Sequence, residues 1–163
     1  MTERIALCPG SFDPVTNGHV GIIRRSLRLF DRVVVAVTVN PSKQSLFTLE
    51  ERMQFIEESF PNEPRLSVQS LEGLLAIEAN KLGAVALIRG LRASRDFEYE
   101  LQMAHMNRHL TSQLETVFLA TEASGSYVSS SLVCEVARLG GDISALVPPH
   151  VANALTARLS GDH

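Results

Sequence analysis

Residues 32–39 read RVVVAVTV. After Arg32 the run carries no charge and no polar–apolar alternation, and five of its residues are valine. A half-exposed strand alternates. An unbroken β-branched run of this length is a strand buried on both faces, the habit of parallel sheets. Four further short runs are of the same kind: residues 4–8 (RIALC), 65–69 (RLSVQ), 84–89 (AVALIR) and 115–120 (ETVFLA).

Helical periods fill the gaps. Val20, Ile23, Leu27 and Phe30 recur at spacings of three and four and make one apolar stripe. Thr48 and Glu51 have the capping-box spacing and open a helix that reaches Ser59. Leu74, Leu75, Ile77 and Leu82 mark a third helix, ended by Gly83. The fourth, over residues 96–110, carries two apolar sets, Phe97/Leu101/Ala104 and Tyr99/Met103/Met106/Leu110. A helix apolar on two sides is buried on two sides, either at the centre of its own fold or at a subunit contact. Ser129 stands as N-cap before LVCEVARL, and Gly140-Gly141 closes that helix. Pro148 and Pro149 start a last helix, with the tail from 158 to 163 expected to be loose. The strand–helix alternation predicts one doubly wound α/β domain over residues 1–163, built on a five-stranded parallel sheet. In such folds ligands sit beyond the carboxyl ends of the strands.

A chain of 163 residues buries roughly 70% of its extended surface and needs no disulfide or metal staple. Its formal net charge is −3, with 15 basic residues, of which only Lys43 and Lys81 are lysines. That balance argues against nucleic acid as partner, which calls for a basic excess, but not against one small anion at a local site. No run of 18 apolar residues predicts a membrane span, and no basic segment followed by an apolar stretch marks a signal peptide. With two distant cysteines, Cys8 and Cys134, the expectation is a soluble cytoplasmic protein with free thiols.

Four strand-end loops then carry chemistry. The first, residues 9–19 (PGSFDPVTNGH), is long for a strand–helix connection. It ends at a helix start, where free N–H groups favour an anion. There Gly18 admits a phosphate to the backbone and His19 can donate an N–H to it. The second places Lys43, a flexible point charge, after RVVVAVTV. The third runs Arg89-Gly90-Leu91-Arg92, two guanidinium forks suited to phosphate; a salt bridge to Asp96 or Glu98 is the competing use. The fourth holds Gly125, Ser126, Tyr127, Val128, Ser129, Ser130 and Ser131, an anion nest at a helix start. His105 and His109 have zinc-helix spacing but lack the glutamate and a third ligand, so no protein-held metal is expected.

The blocks PGSFDPVTNGH, NPSKQSLFTLEER, IRGLRASRDFEYELQMAHMNRHL, ETVFL and YVSSSLVCEVARLGGD span nearly the whole chain. Together they resemble the bacterial phosphopantetheine adenylyltransferases, nucleotidyltransferases with an [HT]-x-G-H signature and a Rossmann-like fold. The resemblance implies transfer of adenylyl from ATP to 4′-phosphopantetheine. The products are dephospho-coenzyme A and pyrophosphate, in the penultimate step of coenzyme A synthesis. It implies Mg2+ carried by the ATP phosphates, a homohexamer, and feedback by coenzyme A.

By the same resemblance His19, Lys43 and Arg92 are catalytic, His19 stabilising the transition state. Ser11, Phe12, His19, Gly90, Leu91, Arg92, Glu100 and the 125–131 loop bind ATP. Ser11, Lys43, Leu75 and Arg89 bind the acceptor. Relatives often carry lysine where this chain has Cys134. Two other readings stay open: another small-molecule nucleotidyltransferase, and a non-catalytic nucleotide or coenzyme A sensor.

Overall fold

A computed structural model describes residues 1–123 and 128–160, without the side chains of Ser94 and Arg95. In chain order its elements are β1 (Ile5–Gly10), α1 (Asn17–Leu29), β2 (Arg32–Thr38), α2 (Leu49–Ser59), β3 (Leu66–Leu71) and α3 (Leu75–Lys81). These are followed by β4 (Ala84–Leu91), α4 (Ser94–Leu110), β5 (Glu115–Ala120), α5 (Ser130–Arg138) and α6 (Pro149–Leu159). The five strands form one sheet, ordered β3-β2-β1-β4-β5, with every pairing parallel.

Strand period two divides the core between the faces. Val33, Val35 and Val37 point to one side, against α1, α2, α5 and α6 through Ile23, Ile56, Val133 and Leu155. Val34 and Ala36 point to the other, where Ala76 and Ala79 of α3 meet them. Both sides of β2 are thus buried, as its unbroken valine run predicts.

The chain winds β1, β2, β3 to one side and then returns to lay β4 on the far side of β1. The switch between β1 and β4 is where such sheets leave a crevice. Here the opening has a visible cause. β1 stays paired with β2 as far as Gly10, but its pairing with β4 ends at Leu7. Beyond Leu7 the two central strands separate, and Pro9, which has no N–H to give a ladder, lies in the open part.

Several boundaries differ from the sequence expectation. β4 runs two residues past Arg89, because Gly90 and Leu91 still pair with Leu119 and Ala120 of β5. The tail is held further than expected: Leu159 is buried and still helical, and Arg158 donates to the Leu46 carbonyl at 2.8 Å and pairs with Glu51. Residues 161–163 lie outside the described residues.

α4 corrects a larger expectation. Within this one chain it is not buried on two sides. It buries Glu100 and Asn107 while Phe97, Tyr99, Leu101, Met103, Met106 and Leu110 remain exposed.

α2 begins with the expected box. Thr48 Oγ1 accepts from the Glu51 N–H at 3.2 Å, and the Glu51 carboxylate accepts from the Thr48 N–H at 2.8 Å. Replacing Thr48 by Ala should cost about 1 kcal/mol. Replacing the fully buried Ile56 about two turns further on by Ala should cost about 2–5 kcal/mol. Urea unfolding of both variants checks that order.

Candidate functional site

The site begins at the end of β1. A Cβ on Gly10 would stand 3.0 Å from two ring carbons of Phe12, so a glycine there lets that ring fold back over the strand end. Phe12 itself takes a positive φ of 47°. Its buried ring meets His19 edge-on, with centroids 5.0 Å apart.

Thr16 caps α1 in a capping box whose second member is a histidine. Thr16 Oγ1 accepts from the His19 N–H at 3.3 Å, and His19 Nδ1 accepts from the Thr16 N–H at 3.0 Å. A ring nitrogen that accepts carries no proton, so the neutral imidazole bears its hydrogen on Nε2, away from the cap. Burial, then the positive charges of Arg92 and Arg89, lower the His19 pKa from 6.5 to about 4. At neutral pH His19 is therefore an uncharged Nε2–H donor. Gly18 beside it has no packing reason to lack a Cβ, since its nearest neighbour would be Thr16 Oγ1 at 3.5 Å. The space it leaves faces the cavity.

That cavity, of about 340 Å3, lies between the ends of β1 and β4 and the start of α5. It brings together Ser11, Phe12, His19, Arg89, Gly90, Arg92, Glu100, Val128, Ser129, Ser130 and Ser131. Leu91 is not on its wall; the Leu91 carbonyl accepts from the Thr121 N–H and hydroxyl at 3.0 and 3.1 Å. Gly125, Ser126 and Tyr127 lie outside the described residues.

Two further spaces adjoin it. One holds Lys43 with Ser11, Ser130, Ser131, Cys134 and Arg138. The other holds Leu75 with Ser11, Arg89, Tyr99 and Glu100. Lys43 and Leu75 therefore flank the main cavity rather than line it, and Ser11 belongs to all three spaces.

The arginines are held in place. Arg89 donates through Nε and Nη2 to the two Glu100 oxygens at 2.9 and 2.7 Å, and through Nη1 to the Pro9 carbonyl at 3.1 Å. This fork raises the Arg89 pKa above its ordinary value, the hydrogen bond to Glu100 outweighing burial. The partner of Arg89 is Glu100, further along α4 than the Asp96 or Glu98 that the sequence suggested. Three of the five guanidinium hydrogens are used, which leaves two for a ligand.

Arg92 does pair with Asp96, at 3.5 Å, and donates to the Val128 carbonyl at 2.9 Å. It thereby ties the end of β4 to the start of α5. The serines prove partly structural as well. Ser129 Oγ accepts from the Leu132 N–H at 3.1 Å, and the Ser130 hydroxyl donates to the Pro14 carbonyl at 2.8 Å. The N–H groups of Ser130 and Ser131 at this helix start are left for an anion.

Sequence reasoning passed over two anchors. The Asp13 carboxylate accepts from the N–H groups of Leu46 and Phe47 at 2.8 and 2.9 Å, and so binds the first loop to the entry of α2. Arg52, buried on α2, reaches the Ser11 carbonyl at 2.8 Å. Its sequence signal is its register. It lies four residues before Ile56, on the face that α2 buries.

Because His19 stays neutral in the fold, it contributes stability that is complete above about pH 6.5, where the unfolded imidazole is also neutral. That contribution is lost as the pH falls towards 4. The stability difference between the wild-type chain and His19→Asn should therefore narrow across that window. Urea unfolding at stepped pH measures it, and a constant difference would mean an ordinary imidazole.

The cytidylyltransferase-like family matches residues 7–136. A phosphopantetheine adenylyltransferase of a Nocardioides species is 54% identical over 95% of this chain and 97% of its own. Proteins of the same name from Levilactobacillus brevis and Anaeromyxobacter dehalogenans are 51% and 50% identical, each over at least 96% of both chains. A crystal structure of a candidate nicotinate-nucleotide adenylyltransferase from Vibrio parahaemolyticus shares the fold. Its TM-score is 0.67 at 17% identity, over 96% of this chain and 93% of its own. Half of the residues shared along almost the whole length, around a cavity lined from the TNGH and RGLR segments and the α5 serines, make this chain a member of the phosphopantetheine adenylyltransferase family.

Proposed function

We propose that the protein transfers the adenylyl group of ATP to 4′-phosphopantetheine, giving dephospho-coenzyme A and pyrophosphate. The observation that carries this reading is the convergence of the His19 donor, two pinned arginines and a helix start on one cavity, with a space on each side that shares Ser11.

In the reaction an oxygen of the acceptor phosphate attacks the α-phosphorus of ATP. The new P–O bond forms as the bond to the β-phosphate oxygen breaks, and pyrophosphate leaves with that electron pair. The nucleophile is already an anion, so no strong general base is required. Orientation can supply about 7–11 kcal/mol, and one donor aimed at developing charge about 3–4 kcal/mol. We assign the latter role to the Nε2–H of His19. Arg92 and the α5 N–H groups face the nucleotide phosphates, with Ser11, the Phe12 backbone, Gly90 and the 125–131 loop around them. Leu91 contributes through its place in β4.

Glu100 borders the ATP space and also holds Arg89. Arg89 and Lys43 take the acceptor phosphate, one rigid and one mobile, and Leu75 borders the space for the pantetheine arm. Among the described residues no group of three or more His, Cys, Asp or Glu side chains could hold a metal. Mg2+ would come in on the ATP phosphates, where it would screen their charge.

The apolar residues of α4 left exposed in one chain call for cover. This supports assembly into a homohexamer. Coenzyme A, which contains the product's framework, is the expected feedback ligand. Among the described residues no helix is long and apolar enough to cross a membrane, and Cys8 and Cys134 are free. A reducing, cytoplasmic setting suits both.

The test is pyrophosphate release from ATP with 4′-phosphopantetheine, nicotinate mononucleotide and glycerol 3-phosphate serving as control acceptors. Turnover is expected with the first alone, and absence of turnover with it overturns the reading. His19→Ala should lower kcat by roughly 10²–10³-fold with a much smaller change in the KM for ATP. Lys43→Ala and Arg89→Ala should weaken 4′-phosphopantetheine more than ATP in isothermal titration. An unchanged acceptor affinity removes those two assignments.

A further inference from the structure

Beneath the crevice lies a cation with no counter-ion. Arg52 is only 5% exposed, yet among the described residues no carboxylate stands within ion-pair distance of it. Its Nη1 donates to the carbonyls of Ser11 and Thr38, at 2.8 and 3.2 Å, and its Nε is buried without a partner. The neighbouring carboxylates are taken. Asp13 accepts from Leu46 and Phe47, and Glu51 serves Thr48 and Arg158.

Burying a charge without a partner is costly, and a neutral donor could hold two carbonyls equally well. The charge therefore asks for an anion that the protein itself does not supply. The carbonyls that Arg52 holds indicate where that anion goes. Ser11 is the residue common to all three spaces of the site, and Thr38 borders the one beside Leu75.

We propose that Arg52 is a positioning residue of the crevice. It fixes Ser11 and Thr38 from below through their carbonyls, and its unpaired charge favours the substrate phosphate that arrives above them. The inference rests on the phosphate-transfer reading of the site and adds a buried source of its anion affinity. It also accounts for an arginine on the buried face of α2, where an aliphatic side chain would pack without a charge.

The experiment compares Arg52→Met, of similar length but neutral, with Arg52→Lys, which keeps the charge. Without ligand, Arg52→Met loses both its carbonyl bonds and its unpaired charge, so its unfolding temperature should stay within a few degrees of wild type. Its KM for 4′-phosphopantetheine should rise by about tenfold or more, and its thermal shift with ATP should shrink. Arg52→Lys should keep the acceptor KM within about threefold of wild type, since a charge remains beside the same carbonyls.

A purely structural arginine gives the opposite pattern. Arg52→Met would then lose thermal stability while its folded fraction kept wild-type KM values, and that result overturns the proposal. Should Arg52→Met fail to fold, Arg52→Lys decides: a tenfold rise in its acceptor KM at wild-type thermal stability overturns it as well. Failure of the wild-type enzyme to use 4′-phosphopantetheine would instead remove the parent reading.

Discussion

One hydrogen bond, from the Thr16 backbone N–H to His19 Nδ1, sets the chemistry of the site. It satisfies a donor at the start of α1, so the helix begins where it does. It occupies the nitrogen that would otherwise be free to protonate, so the ring's hydrogen sits on Nε2. It also fixes the plane of the ring, which Phe12 supports edge-on and which Gly10 makes room for. A capping box with Glu or Gln in that place would cap the helix equally well. A histidine caps it and leaves a donor over, and the burial that lowers its pKa keeps that donor neutral beside two arginines.

The same economy governs the cations. A sheet that opens between β1 and β4 would expose a row of polar backbone to water. Arg89 takes the Pro9 carbonyl in this gap, and Arg92 takes that of Val128. Each arginine closes the fold with some of its hydrogens and offers the rest to the crevice. Glu100 makes this workable for Arg89. It neutralises the guanidinium and holds its fork, so the remaining hydrogens are held in place. A site of this kind is preorganised by the bonds that stabilise the fold, so ligand binding need not order long side chains.

The architecture was legible because it is written in periods. The valine run of β2, the stripe of α1 and the Thr48–Glu51 box each follow from local spacing, and the β5 bounds match the run that predicts them. The loop residues of the crevice were legible because strand ends of a doubly wound sheet are where ligands go. What escaped depends on where strands end. β4 continues to Leu91 because β5 offers it partners, and Arg89 finds Glu100 inside α4 rather than Asp96 or Glu98 near its start. Asp13 and Arg52 escaped because their partners are backbone atoms distant in sequence, and such bonds leave no trace in composition or period. α4 reads as a helix buried on two sides, and the sequence is right about its apolar content. One chain alone does not supply the surfaces that would bury it.

A net charge of −3 is an average over parts that differ in freedom. Arg89, Arg92 and Arg52 are each held by backbone carbonyls, and their positions are settled before any ligand arrives. Lys43, one of only two lysines, lies exposed on the flank of the crevice, on a stem with four rotatable carbons. The proposed transfer between two phosphates needs both kinds of charge. The phosphorus under attack changes little in position, so fixed donors suit it. The attacking phosphate must close the remaining distance, and a cation that travels with it keeps it neutralised along the way. Arginine at the pinned positions and lysine at the free one follow from that difference, which the total charge conceals.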